Sequence, residues 1–324
     1  MAIRSGLAAQ LGIGVETTYG TAASSISRFY EFNEESLALT IERIESAGLR
    51  AGQRVLRADR YTPGQKAVEG TVAFDVTSEN FGLLFEHALG TVNTTTLSGS
   101  AKQHQCILAD PYSKSLTLEV GRPGNDGTVR AYQYTGAKVQ SFTLSSSVNE
   151  LLQAEFSFVG KDEVTGGSLA TASYPSSQEL LSFAGATISV AGSSYSCREV
   201  SLEANFGLNA ERYVLGSQTI NAPVAAAMTE ITGNLTAELV DLTAYNRIVN
   251  NTQTSLTMKW EGTAITGTYK RAITVTMPAV RFDGNTPAVA GPEIVDQELT
   301  YKVLAPTDGS EPITIDIVNT DATA

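Results

Sequence analysis

The sequence predicts a mainly β protein in which one domain is written twice, and three observations carry that expectation. Short segments alternate apolar and polar residues with a period of two, turn signals rich in glycine and asparagine separate them, and one strand-helix unit occurs in two copies. Along the chain, Val68, Gly70, Val72, Phe74 and Val76 alternate with Glu69, Thr71, Ala73, Asp75 and Thr77. Leu116, Leu118 and Val120 alternate in the same way with Ser115, Thr117 and Glu119. Such patterns mark half-buried strands, and Pro123-Gly124-Asn125-Asp126-Gly127, Asp283-Gly284-Asn285 and Asp308-Gly309 mark the turns.

Two segments read as helices. Ser78 is placed to cap the first, with Phe81, Leu84, Phe85 and Ala88 on one face and Gly90 as the stop. Asp241 is placed to cap the second, with Leu242, Tyr245, Ile248 and Val249 on one face and Asn250-Asn251 at its end. Each helix directly follows a strand, and the two units match: VEGTVAFDVTSENFGLLFEHALG begins at Val68 and ITGNLTAELVDLTAYNRIVNN at Ile231, 163 residues later. Downstream, SLTLEV at Ser115 returns as SLTMKW at Ser255, and upstream SLALTIERIESAGLR is echoed by EVSLEANFGLNAERY. So long a period suits a duplicated domain rather than a solenoid. The interruption at 160–177, GKDEVTGGSLATASYPSS, sets the expected boundary, giving a first domain with an N-terminal arm at 1–162 and a second with a C-terminal tail at 163–324.

Composition narrows the function. Of 324 residues, 42% are hydrophobic and only 17% charged, which is too apolar for disorder and too poorly charged for a typical isolated monomer, so a surface covered by partners is expected. No apolar run is long enough to span a membrane as a helix, and the opening MAIRSGLAAQLGIG reads as no signal peptide. The net charge of −12 argues against phosphate-neutralising binding of nucleic acid. Cys106 and Cys197 lie far apart without CxxC spacing and read as reduced, buried thiols. His87 reads as a structural helix residue, His104 lies in a polar segment, and the pair Glu34-Glu35 reads as a solvated turn. No nucleophile-elbow, dinucleotide, P-loop or metal-ligand spacing occurs, so no catalytic residue, metal or cofactor is expected.

The segment with chemical character runs from Arg43 to Lys66. Arg43, Arg50, Arg54, Arg57, Arg60 and Lys66 stand against Glu45 and Asp59, a local charge of +4 in an acidic chain. A long Arg-rich loop suits docking on a carboxylate surface, because guanidinium groups bind carboxylates in bidentate fashion. Residues 163–324 carry a net −9 against −3 for 1–162, so a head-to-tail stack would bring the loop to the more acidic half. The second copy of the loop, Ala204 to Thr229, has lost nearly all of this charge.

The opening AAQLGIGVETTYGTAA, then SRFYEFNEESLAL and ESAGLRAGQRVLR, with the closing MPAVRFDGNTPAVAGPEIVDQELTYKVLA, resembles the tail tube proteins of long-tailed bacteriophages over nearly the whole chain. That resemblance implies two tandem β-sandwich or barrel domains, each with one short flanking α-helix, and rings that stack into a non-contractile tube for DNA delivery. With two domains per chain, three chains would close a pseudo-hexameric ring, and the Arg loop would reach the adjacent ring. The implied partners are the protein itself, the tape measure, tail terminator and distal tail proteins, and double-stranded DNA passing without specific binding. The implied location is the virion tail, after assembly in the host bacterial cytoplasm and without membrane insertion. Glu69, Asp75 and Glu238 fall opposite the apolar faces of their strands and are candidates for an acidic lumen or an interface. The rival readings are a decoration or receptor-binding β-sandwich, and a tube of a secretion or contractile system. The single Trp260, expected to be buried, speaks against the former and the duplication against the latter.

Overall fold

The computed structural model describes residues 5–289, 291–292 and 294–324. Strand accounts for 51% of the chain and helix for 7%, as the alternating pattern requires. In chain order the elements of the first part are β1 (Gln10–Val15), β2 (Arg28–Tyr30), β3 (Glu34–Glu35), β4 (Ala38–Glu45), β5 (Tyr61–Asp75), α1 (Phe81–Leu89), β6 (Gly90–Ser98), β7 (Ala101–Leu108), β8 (Leu116–Pro123), β9 (Val129–Ser147), β10 (Gln153–Gly160) and β11 (Asp162–Thr165). Those of the second part are β12 (Ala186–Val190), β13 (Ser193–Ser194), β14 (Glu199–Asn205), β15 (Leu208–Asn209), β16 (Val224–Ala225), β17 (Glu230–Glu238), α2 (Thr243–Val249), β18 (Thr254–Thr266), β19 (Tyr269–Asp283), β20 (Asp296–Val303) and β21 (Thr314–Asn319).

One antiparallel run crosses the whole molecule. β3 and β4 pair with β5, then the order continues β5-β10-β9-β14-β17-β20-β19. Two further runs are β2-β1-β8-β9-β11 and β13-β12-β18-β19-β21-β7-β6. The layers form a sandwich and do not close into a barrel. β9 serves two runs because it bends: Gly136 sits at φ 66, where a Cβ would lie 2.8 Å from Lys161 Cβ, and the register with β10 shifts at Ser157/Phe158. The pairing order β1-β8-β9-β10-β5-β4 recurs as β12-β18-β19-β20-β17-β14, and the hairpin β6-β7 has no equivalent after α2.

The core is continuous across the β9-β14 seam. Phe85, Phe142 and Phe156 pack with ring centroids 5.4 to 5.7 Å apart, and Phe206 stands 6.1 Å from Phe142. Trp260 is buried, as expected. The expected interruption at 160–177 contains β11, and the segment beyond it is held down by two hydrogen bonds: Ala170 N–H donates to buried Glu119 and Gln10 Nε2 donates to the Ala170 carbonyl, both at 2.8 Å.

Several local expectations are corrected. Ser78 does not cap α1: it is buried, and Asn80, at φ 71, precedes the helix with its side chain committed to Arg28 and the Phe29 carbonyl. Asp241 does accept the Thr243 N–H at 2.7 Å, but the apolar face of α2 is only partly buried: Ala244 is buried and half-buried Ile248 packs against the core, while Leu242 and Val249 are exposed. Glu35 is not a solvated turn residue: Arg122 grips it with two bonds of 2.9 and 2.8 Å, although Glu34 is exposed. His104 is fully buried within β7.

Candidate assembly surfaces

The face of the long sheet turned away from the core is mostly polar, because each strand alternates. Reading across one row, Ala73, Glu155, Thr143, Glu203, Thr232, Lys302 and Arg281 are successive partners. The next row is Asp75, Gln153, Ser145, Ser201, Asn234, Thr300 and Asp283. Glu69, Asp75 and Glu238 all lie on this face, Glu69 and Asp75 on β5 and Glu238 on β17 with three strands between them. Glu69 makes no ion pair with a described residue, Asp75 accepts from Asn33 Nδ2 at 3.1 Å, and Glu238 is 2.6 Å from Arg198, which also holds Asp296 at 3.1 Å. Sequence reasoning missed Glu155, Glu199, Glu203 and Glu298 on the same face, although the alternation in QAEFSFV, EVSLEAN and DQELTYKV carries them.

The Arg-rich segment is less of a loop than expected. β4 and β5 extend as a hairpin to Glu45 and Tyr61, and only 46–60 form its tip. The six basic residues do not act together. Arg43, Arg50 and Arg54 form no ion pair with another described residue, Arg57 is bound by Asp59 through two bonds of 2.9 Å, and Arg60 lies 3.9 Å from the same carboxylate. Lys66 stands at the foot of the arm, 3.1 Å from Asp162. The tip also exposes Leu49, Val55 and Leu56. Its counterpart in the second part does not project: Phe206, Leu208 and Ile220 enter the core, while the Tyr213 hydroxyl donates to the Lys66 carbonyl and the Gln218 amide and carbonyl bond Pro63 and Lys66, at 2.8 to 3.0 Å. The 206–220 segment therefore props the foot of the charged arm. Its apolar composition was the signal.

Neither the thiols nor His87 is set up as a nucleophile or base. Burial pushes the Cys106 thiol up and the Cys197 thiol up to about 11, and drives His87 down to about 4, so the thiols stay protonated and that imidazole neutral at pH 7. Among the described residues no group of His, Cys, Asp and Glu is arranged to hold a metal ion.

The family model described as phage tail tube protein matches residues 6–303. The chain belongs to that family. No curated protein matches it. Membership makes this tail tube protein a structural component of the virion tail that assembles with itself and with other tail proteins. None of its described helices is long and apolar enough to cross a membrane.

In this tail tube protein the two parts of the chain are clasped twice. β9 pairs with β14 over seven residue pairs, and the hairpin strand β7 pairs with the last strand β21. The C-terminal residues then dock beside α1: Asp321 accepts the Asn80 N–H at 2.6 Å and lies 3.4 Å from Arg28, and Thr320 N–H donates to Glu79, which also binds Arg271 at 3.2 Å. Burial raises the Glu79 carboxyl above its usual range. His104 Nε2 meets Asn319 Oδ1 at 3.1 Å, so the buried histidine belongs to the clasp.

Proposed function

We propose that this chain is the subunit of a non-contractile tail tube in which each copy contributes two tube domains, expected to divide at 162/163 and here proposed to divide just after β11, because Asp162–Thr165 pairs with β9. Three copies close a pseudo-hexameric ring, and stacked rings form a conduit for phage DNA. The observation that carries this reading is the repeated pairing order together with the β9-β14 seam. β14 is paired on both sides, whereas β4, its counterpart, is paired only with β5 among the described residues. β9 continues past its bend to meet β14, whereas β19 stops at Asp283 and runs on as 284–289 without a partner strand among the described residues. Joining 283–289 of one copy to the β4 edge of the next repeats the seam and closes the ring, as symmetric interfaces do.

The polar face supports a lumen. Its cations Arg198, Arg281 and Lys302 are each held by carboxylates, so they are not left free to hold phosphates, and the remaining carboxylates repel phosphates within the screening length of about 8–10 Å. Glu69, Asp75 and Glu238 line this wall in the proposed tube. The arm supports contact between rings, with Arg43, Arg50 and Arg54 available for carboxylates of the adjacent ring and Arg57, Arg60 and Lys66 shaping the arm itself. The work is mechanical and not catalytic; the tape measure, terminator and distal tail proteins are its partners, and assembly takes place in the bacterial cytoplasm.

Electron microscopy of concentrated protein tests this: hollow tubes or rings are expected, and a persistent monomer across concentration and salt would overturn it. Arg50→Ala with Arg54→Ala should shorten or abolish tubes while rings and fold persist; tubes of unchanged length would refute the role given to the arm.

A further inference from the structure

The two parts of the chain are unequal where α1 and α2 sit. Beside α1, the ground between the helix start and β2 is filled by the chain's own C-terminal segment: Asp321 against Arg28 and Asn80, Thr323 against Arg28, and Ala324 against Gly82. Beside α2, the corresponding ground is an open cleft of about 380 Å³ between β13 and the helix start, lined by Ser193, Tyr195, Val240, Asp241, Thr243 and Arg247. The exposed apolar residues are here too, with Val240 at 87%, Leu242 at 62% and Val249 at 61% exposure.

The sheets show the same asymmetry. β21 is covered on its outer edge by β7, and the chain then continues into the α1 site. β11 occupies the place of β21 in the first part, since it pairs with β9 as β21 pairs with β19, yet no strand covers its outer edge among the described residues. Its Val164 is 48% exposed, and a Cβ on Gly166 or Gly167, which follow it, would meet nothing within 4 Å. The hairpin that would cover β11 by analogy is missing, because α2 is followed by β18 after only 250–253.

From these matched vacancies we infer that the α2 face of one copy is the docking site for β11 and the Gly166-Gly167 turn of the neighbouring copy. Val240, Leu242 and Val249 pack over the β11 edge around Val164, and the turn enters the cleft as the C-terminal segment enters its counterpart beside α1. The occupant is a second copy because the equivalent side of the fold already joins the two parts within one chain, where β7 covers β21 and the C-terminal segment docks beside α1. An exposed apolar cluster beside an uncovered strand edge is otherwise an aggregation hazard. The inference rests on the ring reading and adds a second joint to it, on the opposite layer from the β4 edge.

The test uses the full chain. Leu242→Asp with Val249→Asp changes two exposed side chains, so the monomer should keep its circular dichroism and melting temperature while the concentration needed for assembly rises at least about tenfold. In a Cys197→Ser background, Val164→Cys with Leu242→Cys should form disulfides between chains in assembled protein, giving linked dimers and trimers on non-reducing gels. Assembly of the double Asp variant at the wild-type concentration, or absence of the cross-link in well-formed tubes, overturns this joint and leaves the tube reading standing. A wild-type chain that never assembles overturns both.

Discussion

Replacing His87 by leucine should remove a defined part of the acid sensitivity of the fold. His87 is buried on α1, its Nδ1–H donating to the Leu83 carbonyl at 2.9 Å while Nε2 has no partner among the described residues. Protonation would place a charge on that unpartnered nitrogen, so burial depresses the imidazole from 6.5 to about 4; the Leu83 bond and Glu86 oppose the shift, and Lys114 adds to it. The sign follows from proton counting. The unfolded chain takes up a proton near pH 6.5 and the folded chain does not until about pH 4, so stability is complete above 6.5 and falls as the pH drops between the two. Integrated over that window, the loss is about 2 kcal/mol by pH 5 and about 3 kcal/mol by pH 4. Urea unfolding of dilute, unassembled protein at pH 7, 6, 5 and 4 measures it. Carboxylates titrate in both proteins, so the difference in slope between wild type and His87→Leu isolates the histidine. Parallel stability curves would refute the burial argument, whatever the variant costs at pH 7.

Arg122→Met should destabilise the fold by about 2–4 kcal/mol in urea, since the guanidinium holds Glu35 in bidentate fashion, the Leu37 carbonyl at 2.6 Å and the Tyr134 hydroxyl at 2.8 Å. Arg122→Lys should recover less than half of that, because an ammonium cannot fork; full recovery would show that charge alone matters. Phe156→Ala opens a cavity among Phe74, Phe85 and Phe142 and should cost about 3–5 kcal/mol, read by the same titration. Tyr213→Phe removes the bond to the Lys66 carbonyl, and hydrogen exchange at 61–66 should quicken while the β9-β14 seam stays protected. Raising the salt should shorten wild-type tubes but have little effect on residual assembly of the Arg50→Ala, Arg54→Ala variant, as length measurements in micrographs would show.

The polar wall and the core were legible in the sequence because both follow from a period of two. Once Val72 and Phe74 are assigned inward, Thr71, Ala73 and Asp75 must point outward, and the same holds for every strand of the long sheet. The arm was legible as a charged insertion, but its division of labour was not. Whether a cation of the arm has no ion pair with a described residue, like Arg54, or is bound, like Arg57 and Lys66, depends on where Asp59 and Asp162 come to lie.

By itself, then, the sequence determined the strand character, the repeat of strand and helix, the buried Trp260 and the existence of the basic arm, since each is a property of neighbouring residues. Tertiary structure decided what meets what. That β9 pairs with β14 across the seam, that β7 covers β21, and that α1 is buried while α2 stands largely exposed are choices between strand edges and helix faces with nearly interchangeable local patterns. The physical reason is range: alternation selects the buried face of a strand, while the partner on its edge is selected by backbone hydrogen bonds and packing between residues far apart in the chain.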